Sequence, residues 1–468
     1  MNLTKVPIHF IGIGGAGMSG IAKILLQLGA KISGSDLKES ETIIHLREMG
    51  AKINIGHDPD NIGADVRTVV YSSAIPQDNP EMQEAKKRGI EILARAEMLA
   101  RLMARQESIA VAGAHGKTTT TAMISLMLEL NDMDPTIIIG GDLRQIGSNA
   151  KLGRGKYLVA EADESDGSFL KLFPKIAVIT NIENDHLDYY RTVKNIVNAF
   201  VRFLEQIPAD GFAVICLDNE ELVKIKNTVP ANYVTYAINT EGADYTARNL
   251  SFHGTKSNCE VYYHQEKIGI LELNVPGKHN ISNALAAVAT GMELGLSFPQ
   301  VAAGLKQFTG AKRRFEFIDQ VDGITIFDDY AHHPTELRAT LSAAKTAGYK
   351  RIIAIFQPHR YTRTKLLQFE FGDSFSDADL VVINEIYSAS EKPIPGVSAQ
   401  LIVNAIRNSD NNKEVVYCQK EEDIIEFLHR EGKSGDLVIT LGAGNIRQAG
   451  IRFAREYRLV AEGKERSR

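Results

Sequence analysis

The sequence predicts an α/β protein with three domains, and three observations support this. The chain has 468 residues, which is room for about three domains of ~150 residues each. Short apolar runs that end in glycine-rich or acidic turns and continue into apolar helices recur along the chain, as in parallel β-α-β units. Two of these turns, at residues 12–17 and 113–118, are rich in glycine. We place the domains at residues 1–99, 100–312 and 313–468.

The composition argues against several classes of function, namely nucleic-acid binding, membrane binding and cysteine-based metal binding. With 44% apolar residues, 24% charged residues and a net charge of −5, the chain gives no electrostatic reason to expect nucleic acid or membrane binding. No apolar run approaches the ~18 residues of a membrane span. Cys216, Cys259 and Cys418 lack metal-ligand spacing, so we expect unpaired buried thiols and a cytoplasmic protein without a signal peptide.

The first domain opens with a nucleotide-binding pattern. An apolar strand at residues 6–11 runs into Gly-x-Gly-x-x-Gly at residues 12–17, and a helix follows at residues 18–28. Asp36 lies about 20 residues after the glycines, the usual place for a ribose-binding carboxylate. The pattern alone suggests a dehydrogenase that binds NAD, but a UDP-sugar can use the same turn.

A further strand of this domain, at residues 69–75, is expected to end in hydroxyl groups. Ser72 and Ser73 can donate hydrogen bonds to a phosphate or a sugar. They also fit a polar strand end without any ligand, and position alone does not decide between the two.

The second domain begins with the stretch around which the chain is organised. An apolar strand at residues 109–112 leads into the turn at residues 113–118 and then into an apolar helix. In a phosphate-binding loop of this kind, backbone N–H groups face the phosphates, Lys117 reaches the terminal phosphates and Thr118 ligates Mg²⁺. The full pattern would need glycine where Val111 stands, so a glycine-rich turn that opens an ordinary helix is the alternative.

Acidic residues follow the next two strands. The strand at residues 157–160 ends at Glu161, and the strand at residues 176–180 leads to Asp185 and His186. Because the carboxyl ends of parallel strands meet at one edge of a sheet, these groups are expected beside the phosphate loop as Mg²⁺ ligands. Three further acids equally fit a solvated loop: Asp163, Glu164 and Asp166.

Residues 233–275 alternate between apolar and polar, which predicts antiparallel strands that form an added sheet. An alanine-rich helix follows at residues 281–294. His279 and Asn280, just before this helix, can contact a nucleotide base or cap the helix.

The third domain is predicted to be a second doubly wound sheet, because polar residues again follow each strand. The predicted strands are at residues 324–327, 351–356, 380–383 and 437–441. Half of the 12 histidines fall in the loops of the predicted sites: His115, His186, His279, His332, His333 and His359. A buried structural role is the ordinary explanation for any one of them, but their shared position after strands favours a site. Arg314, Arg360 and Arg363 add positive charge.

These parts suit one reaction, in which ATP phosphorylates a carboxylate and an amine attacks the acyl phosphate. Cations are required where phosphoryl-transfer charge develops. Histidine is suited to accept the proton of the amine at neutral pH. No Ser-His-Asp or reactive-cysteine arrangement competes with this interpretation.

Taken together, the motifs resemble those of the Mur ligases across nearly the whole chain. The short Gly-x-x-Gly-Lys-Thr loop is also similar to that of the folylpolyglutamate synthetases. The resemblance to the Mur ligases rests on eight segments: residues 12–20 (GIGGAGMSG), 34–36 (GSD), 71–75 (YSSAI), 113–120 (GAHGKTTT), 161–166 (EADESD), 181–186 (NIENDH), 328–334 (DDYAHHP) and 357–363 (QPHRYTR).

The resemblance implies an ATP-dependent amide-bond ligase of the type that adds L-alanine to UDP-N-acetylmuramate in bacterial peptidoglycan synthesis. It implies a Rossmann-like first domain for the UDP-sugar and a P-loop ATPase-like central domain. A Rossmann-like third domain would complete the ATP and amino-acid sites. ATP would be the co-substrate, with two Mg²⁺ ions, Mn²⁺ as a substitute and no NAD, in a monomer or homodimer.

The resemblance also assigns residues to sites. The implied catalytic residues are Lys117, Glu161, His186 and Arg314, and the implied Mg²⁺ ligands are Thr118, Glu161 and His186. The implied ATP-binding residues are Gly113, Ala114, His115, Gly116, Lys117, Thr118, Thr119, His279, Asn280, Arg314 and Asp329. The implied UDP-sugar-binding residues are Gly14, Gly15, Ala16, Gly17, Asp36, Ser72, Ser73 and His115. The implied amino-acid-binding residues are His186, Tyr330, His332, Arg360 and Arg363.

Two departures from the family pattern stand out. Ala114 replaces a common threonine, and we expect little effect because the backbone binds the phosphates. The helix that carries a carbamylated lysine in several sister ligases reads AFVRFL at residues 199–204. The absence of lysine there agrees with the L-alanine-adding type and leaves open what supports a second Mg²⁺.

The closest alternative is the recycling ligase that attaches a ready-made tripeptide to the same sugar. Ser165 stands where that ligase has tyrosine. The sequence Tyr-Thr-Arg at residues 361–363 is absent from that ligase. Folylpolyglutamate synthetases lack the first domain, and a dehydrogenase would leave the phosphate loop unused. A non-catalytic nucleotide-binding regulator would not need the metal-binding set of Lys117, Thr118, Glu161 and His186.

Overall fold

The computed structural model describes residues 6–229 and 231–465, without the side chains of residue 188 and of residues 460–465. It confirms the predicted α/β class with three sheets, built from strands within residues 8–94, 107–273 and 316–441. By its contacts the chain divides into two compact units. One comprises Met1–Arg248, Glu260–Leu271 and Ser282–Phe308, and the other Asn249–Cys259, Glu272–Ile281 and Thr309–Arg468.

The first sheet is wholly parallel, with the order β3-β2-β1-β4-β5. Its strands are β1 (Ile8–Ile11), β2 (Ile32–Asp36), β3 (Lys52–Ile55), β4 (Thr68–Tyr71) and β5 (Glu91–Ala94). Its helices are α1 (Ala16–Gln27), α2 (Glu41–Glu48), α3 (Pro80–Lys87) and α4 (Arg95–Met103). The chain steps outward from β1 in both directions, so the loop after β1 lies where nucleotides bind in such sheets. Strand β4 ends before Ser72 and Ser73, which lie in the following turn rather than on the strand.

The central sheet has ten strands in the order β15-β14-β13-β12-β11-β10-β6-β9-β7-β8. The strands are β6 (Glu107–Ala112), β7 (Thr136–Leu143), β8 (Ser148–Lys151), β9 (Tyr157–Glu161), β10 (Ile176–Ile179), β11 (Phe212–Cys216), β12 (Asn232–Ala237), β13 (Tyr245–His253), β14 (Lys256–Tyr263) and β15 (Glu266–Leu273). The helices are α5 (Lys117–Glu129), α6 (Leu187–Tyr190), α7 (Val193–Leu204), α8 (Glu220–Ile225), α9 (Lys278–Glu293) and α10 (Phe298–Lys306).

The added strands extend the central sheet and do not form a sheet of their own, which agrees with the predicted central parallel sheet with added strands. Strand β12 pairs in parallel with β11 on one side and with β13 on the other, so the central sheet continues without a break. The connections between β13, β14 and β15 are two-residue turns of the kind that antiparallel neighbours allow. The alternation of apolar and polar residues predicted strands with one solvated face correctly, but it carries no information about which sheet they join.

The third sheet has the order β16-β17-β21-β18-β19-β20. Its strands are β16 (Glu316–Val321), β17 (Ile324–Asp329), β18 (Arg351–Phe356), β19 (Leu380–Ile383), β20 (Glu414–Tyr417) and β21 (Asp436–Leu441). Its helices are α11 (Pro334–Thr346), α12 (Tyr361–Leu366), α13 (Gln368–Gly372), α14 (Gln400–Ser409), α15 (Glu421–Glu431) and α16 (Arg447–Glu465). Strand β16 is antiparallel to β17, and the other pairs are parallel.

Successive side chains of β18 serve two different cores. Ile352, Ala354 and Phe356 pack into one apolar cluster, whereas Ile353 and Ile355 pack into the other. This period of two on a strand that is buried on both faces is the signature of a doubly wound sheet, and it confirms that part of the prediction.

The three cysteines are free and buried, as predicted. Burial raises the pKa of the Cys216 thiol to about 11. Among the described residues, the helices are all too short or too polar to cross a membrane.

Candidate active site

The turn after β6 is fixed to the end of β10. The N–H of Ala114 donates to the carbonyl of Asn181 (3.2 Å), and the N–H of His115 donates to the Asn181 side-chain oxygen (2.9 Å). The Thr180 hydroxyl donates to the carbonyl of His115 (2.6 Å). The strand order places β10 directly beside β6, so the neighbouring strand end holds the turn in one conformation before any ligand arrives.

Two glycines of this turn have no room for a side chain. Gly113 has φ 135°, and a Cβ atom there would lie 2.2 Å from the Thr180 hydroxyl. Gly116 has φ 83° and caps α5, and its Cβ would lie 2.5 Å from the Asn283 side-chain oxygen. The backbone can therefore turn tightly into α5, whose N-terminal N–H groups favour a bound anion.

Lys117 begins α5 and bends back over its own turn. Its Nζ donates to the carbonyl of Gly113 (2.6 Å) and to Oε1 of Glu164 (2.9 Å). Burial acts to lower the pKa of Lys117, but the carboxylates of Glu164, Asp163 and Glu161 outweigh it and raise the pKa. The side chain is thus held as a cation at the mouth of the turn.

Glu164 is the carboxylate that joins the predicted residues into one cluster. Its side chain is 2% exposed, and Oε1 lies 2.9 Å from Lys117 Nζ and 3.5 Å from His186 Nε2. Its backbone carbonyl accepts from the Tyr190 hydroxyl (2.6 Å). Within the described part of the chain, Oε2 of Glu164 is buried and has no hydrogen-bond partner. A buried carboxylate oxygen without a partner fits a site that is completed by a cation or by its water.

His186 is held in a strained backbone conformation. It has φ 58°, in the left-handed region, and it precedes the four-residue helix α6. Burial acts to lower the pKa of His186, but its hydrogen bond to Glu164 and the charge of Asp185 raise the pKa overall. Strain of this kind costs about 1–3 kcal/mol and is concentrated at functional sites.

Glu161 ends β9, and its Oε1 accepts from the N–H of Gly140 on β7 (2.8 Å). Its negative charge contributes to the raised pKa of Lys117. The structure therefore brings Lys117, Glu161 and His186 to one edge of the central sheet, with Thr118 and Thr119 in the first turn of α5.

Arg95, at the start of α4, connects this edge to the first sheet. Its Nη2 donates to Oδ2 of Asp163 (2.9 Å), and its guanidinium lies against Gly17, where a Cβ would be 2.6 Å from Nη1. Burial acts to raise the pKa of Asp163, but Arg95 and Lys117 hold it at about 2. Asp163 is thus an ion-paired residue rather than part of a solvated loop.

The glycine-rich turn of the first sheet is closed by Asp36. Its Oδ2 accepts from the N–H of Gly14 (2.8 Å), and its Oδ1 accepts from the N–H of Leu37 (2.8 Å). Gly15 is the N-cap of α1, and Ala16 and Gly17 form the first turn. Asp36 therefore orders the predicted diphosphate loop directly, a role that its spacing from the glycines did not reveal.

In the second unit, Asp329 lies within β17 rather than in the loop after it. Its Oδ2 accepts from the N–H of Phe315 (2.7 Å) and its Oδ1 from the N–H of Ala331 (2.8 Å). Burial raises the pKa of Asp329 to about 6, although Arg314 and these two N–H donors act in the opposite direction.

Asp329 is expected to make stability depend on pH. Its pKa is raised on folding, so the stabilising contribution of its proton is complete below about pH 4 and is lost as the pH rises through about 6. The free energy of unfolding of the wild type should fall by about 2–3 kcal/mol between about pH 4 and pH 7. Asp329→Asn should abolish this fall. Denaturant unfolding of both proteins at the two ends of this window measures it, with exposed Asp322→Asn as the control. An equal loss in the wild type and in Asp329→Asn would contradict the assignment.

The predicted amino-acid-binding residues of the second unit form an aromatic and cationic cluster. The ring of His332 packs edge-on against Tyr330 (5.4 Å between centroids) and against His359 (5.5 Å). Arg363 Nη1 lies 3.0 Å from His359 Nδ1. Arg360 has φ 70°, a backbone conformation that non-glycine residues rarely adopt, and its N–H donates to the carbonyl of Tyr387 (2.9 Å).

Arg314, His279 and Asn280 lie in the same unit. The Arg314 guanidinium lies over the ring of Tyr330 (5.4 Å). Burial, together with the charge of Arg314, lowers the pKa of His279 to about 4, so the ring is neutral at physiological pH. Asn280 lies in the first turn of α9 and donates to the carbonyl of Pro276 (2.7 Å). This bond differs from a helix cap, in which the side-chain oxygen accepts a backbone N–H.

Sequence reasoning missed or undervalued four residues. Glu164 and Asp163 were left open between a site role and a solvated loop, and Arg95 and Asn181 received no role. The signal available for Glu164 was its place in an acidic segment that directly follows the end of a strand. No single-sequence pattern identifies Arg95, because it lies on a connecting helix that is distant in sequence from both groups it contacts.

Three family models match this chain in succession. The model described as Mur ligase family, catalytic domain, matches residues 7–107. The Mur ligase middle domain matches residues 111–291, and the Mur ligase, glutamate ligase domain, matches residues 313–444.

Curated relatives match over almost their whole length. UDP-N-acetylmuramate–L-alanine ligase of Pelotomaculum thermopropionicum is 53% identical over 451 residues, which are 96% of this chain and 97% of that protein. The protein of the same name from Desulforamulus reducens is 54% identical over 440 residues, 94% of this chain and 95% of that protein.

Solved structures show the same architecture. A UDP-N-acetylmuramate-alanine ligase from Thermotoga maritima matches with a TM-score of 0.83 at 29% identity, covering 97% of this chain and 99% of that one. A murein peptide ligase from Psychrobacter arcticus matches with a TM-score of 0.72 at 26% identity, covering 97% and 98%.

Proposed function

This chain belongs to the Mur ligase family, and on that premise we propose that it joins L-alanine to the lactyl carboxylate of UDP-N-acetylmuramate, with ATP converted to ADP and phosphate. The observation that carries the proposal is the cluster of Lys117, Glu164 and His186 at the phosphate loop. It occurs in a chain that is 53% identical to a curated relative with this activity in its name. Synthesis of a peptidoglycan precursor in the bacterial cytoplasm is the corresponding cellular role.

Each domain has a proposed task. Residues 1–99 bind the UDP-sugar, residues 100–312 bind ATP, and residues 313–468 complete the ATP and amino-acid sites. In the first domain, the turn that Asp36 orders binds the diphosphate. The remaining UDP-sugar contacts of this proposal come from Ser72, Ser73 and His115.

The first chemical step transfers the terminal phosphoryl group of ATP to the lactyl carboxylate. A carboxylate oxygen attacks the phosphorus, the bond to the ADP oxygen breaks, and an acyl phosphate forms. Lys117 and the N–H groups of residues 113–119 stabilise the charge that spreads over the phosphoryl oxygens. The ion pair with Glu164 holds the Lys117 side chain in place for this task.

In the second step the amine of L-alanine attacks the acyl carbon and phosphate leaves. Arg360 and Arg363 are proposed to bind the carboxylate of the amino acid, since a guanidinium matches a carboxylate in two parallel hydrogen bonds. Tyr330 and His332 line the same cluster. An imidazole such as that of His332 is suited to accept the proton that the amine releases.

The residues around the phosphate loop fit a divalent cation. Thr118, Glu161 and His186 would hold Mg²⁺, and the partnerless Oε2 of Glu164 offers a further oxygen to a bound water. When bound, Mg²⁺ neutralises the phosphate oxygens and polarises the reacting phosphoryl group. We propose that His279 and Arg314 bind the adenosine and phosphate groups of ATP.

Phosphate release from Mg-ATP with UDP-N-acetylmuramate tests the proposal. The reaction is run without an amine, with L-alanine, and with the tripeptide L-Ala-D-Glu-diaminopimelate. We expect release that requires both the sugar nucleotide and L-alanine. Release with the tripeptide alone would assign the chain to the recycling ligases. No release under any condition would favour a non-catalytic nucleotide-binding role.

A further inference from the structure

A buried chain of hydrogen bonds lies beneath the nucleotide-binding edge of the first sheet. Glu81, on α3, is completely buried. Its Oε1 accepts from Asn61 Nδ2 (2.6 Å), and its Oε2 accepts from the hydroxyl of Ser35 (2.6 Å) and lies 3.4 Å from His9 Nε2. The pKa of Glu81 is raised by burial but lowered overall by its hydrogen bonds to His9, Ser35 and Asn61. The carboxylate is therefore ionised and can only accept hydrogen bonds.

The charge on Glu81 determines the direction of the next hydrogen bond. Because Ser35 has one hydroxyl proton and gives it to Glu81, the Ser35 oxygen can only accept from other groups. Its remaining neighbour is Nδ1 of His57, at 3.0 Å. In the neutral imidazole of His57 the proton must therefore be on Nδ1, and Nε2 is left as a hydrogen-bond acceptor.

The ring of His57 reaches the surface at the ligand-binding edge. In the described part of the chain its ring contacts only Ser35 and Glu81, and its side chain is 12% exposed. His57 comes two residues after β3, and the N–H of the intervening Gly56 donates to the carbonyl of Asp36 (2.8 Å). Since the Nδ1 side faces the buried Ser35, the Nε2 side is the one available to a ligand.

The strand order gives His57 a defined place along a nucleotide. The neighbours β1, β2 and β3 end in the glycine-rich turn, Asp36 and His57, and adjacent strands are about 4.8 Å apart. In sheets of this kind the diphosphate lies at the first strand and the ribose at the second. A third strand end, about 10 Å from the diphosphate turn, is at the distance of the base.

We infer that His57 selects the base of the sugar nucleotide, with Nε2 accepting the N3–H of uracil and Ser35 and Glu81 fixing the tautomer that makes this possible. The inference rests on the proposed function, because it takes the substrate to be a UDP-sugar. Uracil carries a donor at N3, whereas cytosine carries an acceptor there. A site that ends in an acceptor therefore accepts uracil and rejects cytosine, since the two acceptors would face each other without a proton.

The tautomer can be tested without any ligand. In the full-length protein labelled with ¹⁵N-histidine, long-range ¹H–¹⁵N correlation spectra distinguish a protonated Nδ1 from a protonated Nε2. The signal of His57 is assigned from its loss in His57→Asn. We expect the Nδ1–H form at a pH at which the ring is neutral. A ring protonated on Nε2 would overturn the inference.

Base selection is tested with UDP and CDP as the probes. Calorimetric binding to the wild-type protein should favour UDP over CDP by about tenfold or more. His57→Asn keeps a polar group near Ser35 but has no atom at the place of Nε2. It should weaken UDP binding about 5- to 10-fold and change CDP binding less than about twofold. His57→Gln, which can place an oxygen near that position, should recover most of the loss.

His45→Asn is the matched control, because His45 is an exposed histidine on α2 of the same domain and should leave both affinities unchanged. If His57→Asn weakens UDP and CDP equally, base selection by His57 is wrong even though the UDP-sugar site stands. If the wild-type protein binds UDP-N-acetylmuramate and UDP no better than CDP, the proposed function fails as well. The two failures are therefore distinguishable.

Discussion

Lys117→Ala is expected to lower kcat for phosphate release by about 10²–10³-fold. Lys117 is the cation that the phosphate loop places at its mouth, where the charge of the transferred phosphoryl group develops. Its ion pair with Glu164 holds it there before ATP binds. Binding of ATP itself depends largely on backbone N–H groups, so KM for ATP should rise much less than kcat falls.

The measurement is steady-state phosphate release with UDP-N-acetylmuramate and L-alanine, with thermal unfolding as a check on folding. Lys156→Ala is the control, because Lys156 is an exposed lysine of the same domain that pairs with Glu107. A Lys117→Ala enzyme with kcat within about threefold of the wild type, and properly folded, would mean that the loop does not serve phosphoryl transfer.

The elements around the phosphate loop were predictable because local and long-range preferences agree there. The run Ile109–Ala112 is apolar, a glycine-rich turn follows, and the helix after it is apolar on almost every side, so strand β6 and helix α5 follow from pattern alone. The structure begins the helix at Lys117, inside the turn predicted at residues 113–118. Boundaries shift in this way because the first turn is set by the phosphate loop and not by side-chain periodicity.

Burial of charge was not predictable from the pattern. Asp328 and Asp329 end β17 inside the sheet, although two adjacent acids after an apolar run suggest a loop. Asp328 is tolerated because Arg313 Nε (3.0 Å) and the Thr440 hydroxyl (2.8 Å) contact its two oxygens. Thr440 is more than a hundred residues away in sequence, so no local window contains the reason.

The roles of the acids at residues 161–166 were also not predictable, because they too depend on contacts with residues distant in sequence. Three of its members have different surroundings: Glu161 binds a backbone N–H of β7, Asp163 pairs with Arg95, and Glu164 is buried against Lys117. The three acids are close together in sequence and chemically alike, so the sequence alone could not tell which of them belongs to the site. Each assignment depends on which distant group the turn after β9 faces.

Glu164→Gln is therefore the most informative single change in this segment, and we expect it to lower kcat by about 10²-fold. The substitution keeps the shape of the side chain but removes the charge that raises the pKa of Lys117 and of His186. The amide can accept from Lys117 with its oxygen, but its NH₂ group cannot take the place of the partnerless Oε2 toward a cation. The Mg²⁺ concentration that gives half-maximal rate should therefore rise as well.

Initial rates over a Mg²⁺ series, for the wild type and for Glu164→Gln, test both parts of this prediction. Asp166→Asn is the matched control, because Asp166 lies in the same acidic segment and its Oδ1 only accepts from the nearby N–H of Ser168 (3.0 Å). A lower kcat with an unchanged Mg²⁺ requirement would show that Glu164 acts only by holding Lys117 and His186 in place. A kcat within about twofold of the wild type would contradict the central role of Glu164, because a buried carboxylate that contacts both Lys117 and His186 cannot be neutralised without weakening both contacts.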